Sequence, residues 1–190
     1  MGCGKSSVGR KLSQLLCCPF MDLDQVIEER AGRSIPEIFA SEGERAFRSM
    51  ELDALRNIVS GWEGFPKQSL PSQAMGPSLC GQRGSTVLHP SLHPMVLALG
   101  GGTVMTPECR ETVENESTCI YLKASIDTLV DHLRAEASGR PMLQGESLRA
   151  RIEELMQQRS ETYERTAHIT IETDGKSVEA IAEEIINRLQ

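Results

Sequence analysis

The chain has 190 residues, 39% apolar and 25% charged, with a net charge of −7. That length suits one domain with a real hydrophobic core. The acidic balance argues against a general nucleic-acid binder, whose footprint is a basic patch. No apolar run reaches the length of a membrane span and no signal peptide precedes the first motif, so a cytoplasmic protein is expected. The six cysteines (Cys3, Cys17, Cys18, Cys80, Cys109, Cys119) lack paired metal-site spacing and read as buried reduced thiols.

In chain order, Met1-Gly2-Cys3-Gly4-Lys5-Ser6 is the back half of the phosphate-binding pattern G-x-x-x-x-G-K-[ST]. Glycines free backbone N–H groups to wrap a polyphosphate, a lysine reaches the β- and γ-phosphates, and a hydroxyl ligates Mg²⁺. Gly2, Cys3, Gly4, Lys5, Ser6 and Ser7 are the expected nucleotide contacts. Val8, Leu12, Leu15 and Leu16 recur at helical spacing, which predicts a helix from Lys5 with its N-terminus toward the phosphates. An ordinary glycine turn capping a helix is the bland alternative.

Pro19–Asp24 reads as a buried strand carrying Asp22 and Asp24 at its C-terminal end. At a spacing of two, one carboxylate can lean toward Mg²⁺ and the other toward an acceptor hydroxyl; equally, Asp24 could cap the next helix. That helix runs through Val26, Ile27 and Glu29 to a stop at Gly32. Ser34-Ile35-Pro36-Glu37 is a capping box with proline in the first turn, and Gly43 interrupts the helix it opens. A second amphipathic run carries Phe47, Met50, Leu55 and Ile58, with Glu51 three residues after Arg48, placed to hold its guanidinium.

Residues 61–94 hold five of the nine prolines and five glycines, with only Glu63, Lys67 and Arg83 charged. No period survives there, so a surface insertion is expected. Met95–Leu99 is an apolar strand ending on Gly100-Gly101-Gly102, where backbone can approach a ligand. A helix near 107–114, a strand Cys119–Leu122 and a helix from Ser125 with Ile126, Leu129, Val130 and Leu133 follow. A polar loop at 136–147 contains Arg140. The helix to about Thr166 carries Arg159, then come a strand Ile169–Ile171 and a last helix with Ile181, Ile185 and Leu189 on one face. His132 and His168 receive no role. Strands alternating with helices imply a parallel sheet covered on both faces, with ligands at the strands' carboxyl ends.

Several motifs in order carry a wider resemblance: Gly4-Lys5-Ser6, Phe20–Asp24, Ile27–Ile35, Glu42-Gly43-Glu44, Phe47–Glu51, Gly100–Gly102, Arg140-Pro141 and Arg159–Tyr163. Together they resemble the shikimate kinases across the whole chain except the insertion. The resemblance implies an α/β fold, the P-loop kinase three-layer sandwich with strand order 2-3-1-4-5, and transfer of the ATP γ-phosphoryl group to the shikimate 3-hydroxyl. It implies Lys5, Asp24 and Arg140 as catalytic residues, and Ser6 and Asp22 at Mg²⁺, Asp22 through water. Arg48 and Arg159 would clamp the shikimate carboxylate, Gly100, Gly101 and Gly102 would line its ring, and Asp24 would hold the acceptor hydroxyl. Arg140 would close over the phosphates from a lid at 136–147, and Arg134 and Thr173–Lys176 would border the adenine. A monomer is expected.

In the family a strand and a first loop glycine precede the position of Met1, and that strand lies in the middle of the sheet. A protein beginning at Met1 is therefore expected to be unstable or poor at binding ATP. Three other readings stay open: another small-molecule kinase on the same fold, a catalytically silent nucleotide-binding module, and a kinase domain detached from a larger polypeptide.

Overall fold

In the computed structural model, residues 2–61, 94–136 and 146–190 are described, so most of the expected insertion, most of the expected lid, Arg140 and Cys80 lie outside the described residues. The element order is α1 (Lys5–Leu15), β1 (Phe20–Asp22), α2 (Leu23–Ala31), α3 (Ile35–Val59), β2 (Val96–Ala98), a 3-10 turn (Thr103–Met105), α4 (Pro107–Glu116), β3 (Ile120–Lys123), α5 (Ile126–Glu136), α6 (Glu146–Thr166), β4 (Ile169–Glu172) and α7 (Val178–Leu189). The strands form two parallel ladders. β1 pairs with β2, Met21 opposite Leu97, and β3 pairs with β4, Tyr121 opposite Thr170. These are neighbours 2-3 and 4-5 of the expected order, and no described strand lies between them.

The alternation of side chains along each strand assigns the layers. Val96, Ile120, Leu122, Ile169 and Ile171 join Val8 and Leu12 of α1 and Ile181 and Ile185 of α7 in one cluster. Both ladders thus share a single cover, α1 with α7. Met21 and Leu97 point the other way, into a cluster built by Leu23 and Ile27 of α2, Ile38, Phe47, Leu55 and Ile58 of α3, and Val113 of α4. On the same side of the second ladder Tyr121 stacks on Tyr163 of α6, ring centroids 5.3 Å apart. The result is three layers, helix on sheet on helix. No described helix is long and apolar enough to cross a membrane.

Helix boundaries follow the local chemistry. The N–H of Ser34 donates to Glu37 Oε2 at 2.8 Å and its hydroxyl to the same oxygen at 2.6 Å, which starts α3. Gly43 breaks α3 with φ 80°. Gly9 is buried on α1 and faces β1: a methyl group there would stand 2.5 Å from the Phe20 ring, so only glycine lets the helix lie this close to the strand.

The expected helices form, with Val8 and Leu12 of α1 and Ile181 and Ile185 of α7 buried, while Leu15, Leu16 and Leu189 at the C-terminal ends of those runs are exposed. Three expectations are corrected. The Pro19–Asp24 stretch is only half-buried, and its strand ends at Asp22, so Asp24 belongs to the first turn of α2. The cap of α2 is Asp22, whose Oδ1 accepts from the Asp24 N–H at 3.2 Å. Of the described cysteines, all free, only Cys109 is buried, and Cys17 is exposed.

Candidate active site

The site is assembled where α1, α2 and the glycine turn meet. Gly4 is the N-cap of α1 with φ 74°, a left-handed conformation that places the chain ahead of the helix without a side-chain cap. The first-turn N–H groups at Lys5, Ser6 and Ser7 are the ones a helix leaves without intrahelical partners, at its positive end. Ser6 Oγ donates to Asp22 Oδ2 at 2.9 Å. The loop hydroxyl and the first carboxylate are therefore one unit, held by β1 on one side and α1 on the other.

Asp24 projects from the first turn of α2 toward the glycine turn. A methyl group on Gly100 would come within 2.7 Å of Asp24 Oδ1, so the missing side chain at Gly100 is what lets the carboxylate reach the turn. Burial pushes the Asp24 carboxyl above the ordinary carboxylate range, the negative charge of Asp22 raises it further, and Lys5 opposes both. A carboxylate so placed is a better proton acceptor than a solvated one.

Arg48 faces it from α3. Its Nη1 donates to Glu51 Oε2 at 2.8 Å and its Nη2 to Glu44 Oε1 at 3.1 Å. The guanidinium lies directly against Gly102, where a methyl group would come within 2.6 Å of Nη2 and 2.7 Å of Nη1. Glu51 is only 1% exposed, and its other oxygen, Oε1, accepts from the Thr103 hydroxyl at 2.6 Å.

The glycine turn is closed from the far side by α6. Arg159 Nη1 donates to the Gly101 carbonyl at 3.2 Å, and the Tyr163 hydroxyl donates to the same oxygen. The three glycines thus serve different neighbours. Gly100 admits Asp24, Gly101 offers its carbonyl to Arg159 and Tyr163, and Gly102 seats Arg48.

The structure brings together Gly2 through Ser7, Asp22 and Asp24 on one side and Arg48, the three glycines and Arg159 on the other. Arg140 lies outside the described residues. Arg134 is exposed on α5. The 173–176 segment is pinned to the start of α5, where Asp174 Oδ1 accepts from the Ser125 N–H at 3.0 Å. Hydrogen bonds from Thr128 and Ser125 hold that carboxyl below its usual range.

Two histidine contacts escaped the sequence. His132 Nδ1 lies 2.6 Å from the carbonyl of Gly2, so an α5 histidine donates to the phosphate loop. His168 Nδ1 accepts from the Cys119 N–H at 3.0 Å and ties β4 to β3 away from the site. Only their helical or strand placement is visible in sequence, and neither spacing distinguishes the two roles.

A family model described as shikimate kinase matches residues 1–62 and 84–190, which leaves 63–83, inside the expected insertion, unmatched. A shikimate kinase of Thermus thermophilus is 38% identical over 189 residues, covering all of this chain and 85% of that protein. The shikimate kinase of Thioalkalivibrio sulfidiphilus is 37% identical over 185 residues, 97% of this chain and 80% of that protein. Among solved structures, shikimate kinase from Acinetobacter baumannii in complex with shikimate is similar with a TM-score of 0.75 and 28% identity, covering all of this chain and 88% of that one. Shikimate kinase from Bacteroides thetaiotaomicron gives a TM-score of 0.74 at 25% identity, covering all of this chain and 92% of that one. With the family model spanning both sides of the insertion and relatives aligned along the full length, the chain belongs to the shikimate kinase family.

Proposed function

We propose that this protein transfers the γ-phosphoryl group of ATP to the 3-hydroxyl of shikimate, giving shikimate 3-phosphate and ADP, a step toward chorismate and the aromatic amino acids. The observation that carries the reading is the convergence on one glycine turn of a half-buried carboxylate, Asp24, and a braced guanidinium, Arg48, beside the open N-terminus of α1. Phosphoryl transfer asks little covalent chemistry of the protein and much positioning.

In this reading Arg48 and Arg159 hold the shikimate carboxylate and Gly100–Gly102 lie against its ring. Asp24 accepts the proton of the 3-hydroxyl as its oxygen forms the new bond to phosphorus. The bond from phosphorus to the β–γ bridging oxygen breaks, and ADP leaves with the electron pair. Lys5 and the N–H groups of α1 hold the phosphates in line, and Arg140 contributes a further cation over the transferring group.

The donor set fits Mg²⁺. Ser6 Oγ and Asp22 Oδ2 are hard oxygens 2.9 Å apart, and no cage of three or more acidic, histidine or cysteine side chains occurs among the described residues. A small cation that keeps most of its water and takes the rest of its shell from phosphate suits such a pair. When bound it neutralises phosphate charge.

The test is ADP release by the protein with ATP and Mg²⁺, shikimate present or omitted, with the product identified by ³¹P NMR. Shikimate-dependent ADP release with a new phosphomonoester signal is expected. ADP release indifferent to shikimate would overturn the reading.

A further inference from the structure

We propose that Thr103 is a positioning residue of the acceptor site, its hydroxyl fixing the plane of the Glu51 carboxylate and so the direction of the Arg48 guanidinium. The proposal rests on the reading of Arg48 as the group that binds the substrate carboxylate.

Three observations carry it. Thr103 and Glu51 are both fully enclosed, at 0% and 1% exposure, so neither can exchange its hydrogen bond for water. The Thr103 hydroxyl donates to Glu51 Oε1 at 2.6 Å while Arg48 Nη1 donates to Oε2 at 2.8 Å, so each carboxylate oxygen has a different donor. Finally, Thr103 begins the 3-10 turn that follows the three glycines, and its own N–H donates to the Gly100 carbonyl at 3.2 Å. One residue therefore joins the glycine turn to the arginine helix.

A carboxylate held at one oxygen swings about its Cγ–Cδ bond. Held at both, it presents Oε2 to Arg48 in one direction. The other partner of Arg48, Glu44, is largely exposed, and an exposed pair orients weakly. The surroundings of the brace are dry: burial, with the Glu51 charge next in size, pushes the neighbouring Cys109 thiol up to about 11. A methyl group on Gly100 would come within 3.2 Å of Thr103 Oγ1 and 3.3 Å of Glu51 Oε1, as well as touching Asp24, so the brace stands directly behind the acceptor position. Thr103 itself is enclosed and acts only through Glu51.

The experiment compares Thr103→Val, which keeps the shape and loses the hydroxyl, with Thr103→Ser, which keeps the hydroxyl. Losing one hydrogen bond to a buried charged group corresponds to about tenfold in affinity. Thr103→Val should therefore raise the KM for shikimate about tenfold, by more than it lowers kcat and with the KM for ATP unmoved. Thr103→Ser should restore the shikimate KM. In a Glu51→Gln background, adding Thr103→Val should cost far less than in wild type. An unchanged shikimate KM in Thr103→Val would overturn the proposal, as would equal losses in Val and Ser, or full additivity with Glu51→Gln. A second readout separates this claim from the functional reading: the guanidinium NMR signals of Arg48 in ¹⁵N-arginine-labelled protein without substrate. The brace predicts that they broaden in Thr103→Val and persist in Thr103→Ser, whether or not shikimate proves to be the acceptor; identical signals in all three proteins would overturn it.

Discussion

At the phosphate loop, α1 opens on Gly4 with no side-chain cap, which leaves its first-turn N–H groups without intrahelical partners. At the acceptor wall, Arg48 already has Glu51 and Glu44, Glu51 has Thr103, and the Gly101 carbonyl has Arg159 and Tyr163. On the proposed function, the two regions handle an anionic ligand differently. Backbone donors at a helix N-terminus are rigid without help, so they can stay open until phosphate arrives. An arginine side chain has about 2 kcal/mol of rotamer entropy to lose, so Arg48 is aimed in advance chiefly by Glu51, which is itself buried. The loop is ready because it is bare, and the wall is ready because it is braced.

The largest way to break this comparison acts where the two regions meet. Asp24→Asn should lower kcat by roughly 10²- to 10⁴-fold, the usual worth of a general base, with nucleotide binding retained. The same variant carries a pH signature. Because the folded protein raises the Asp24 carboxyl, its ionised form costs stability above the raised value, and that cost fades as pH falls toward the ordinary aspartate value of ~3.9. Asp24→Asn should therefore melt higher than wild type at neutral pH, and thermal scans should show the gap closing toward pH ~4.

Gly102→Ala attacks the wall alone. Its methyl group would stand 2.6–3.0 Å from the Arg48 guanidinium and displace it. Steady-state kinetics should give a shikimate KM raised about tenfold or more, from the loss of charged hydrogen bonds, with the KM for ATP unchanged.

Gly9→Ala attacks the scaffold beneath the loop. With 2.5 Å between the new methyl and the Phe20 ring, α1 must lift from β1, at about 1–3 kcal/mol for an overpacked core. Denaturant titration should show the loss, and both KM values should move little while the protein stays folded.

The smallest effect is His132→Ala. It removes the donor to the Gly2 carbonyl at an exposed position, worth about 0.5–1.5 kcal/mol. The KM for ATP should rise a few-fold with the shikimate KM untouched, the mirror image of Gly102→Ala.

Much of this site is legible before folding because its residues sit at punctuation. Lys5 and Ser6 follow glycines at a helix start, Asp22 ends a strand, and Gly100–Gly102 end another, so topology alone brings them to one edge of the sheet. The Arg48–Glu51 pair is legible because i, i+3 spacing is geometry on a helix. Thr103 and Glu51 meet across 52 residues, and His132 and Gly2 across 130, and no local pattern encodes such meetings. Asp24 reads as part of the strand because Leu23 is apolar and continues the run; in the fold Leu23 is fully buried as the first residue of α2. Leu15, Leu16 and Leu189 keep the helical period past the point where the sheet still covers the helix, so periodicity overstates the core there.

The most direct test of the contrast is calorimetric titration of shikimate into the nucleotide-free protein and into Arg48→Ala. A wall braced in advance predicts saturable binding of shikimate to the wild-type protein with no nucleotide present, lost in Arg48→Ala. Shikimate binding that appears only after ATP or ADP is added would contradict the account, since the acceptor site would then be built by the nucleotide rather than by its own neighbours.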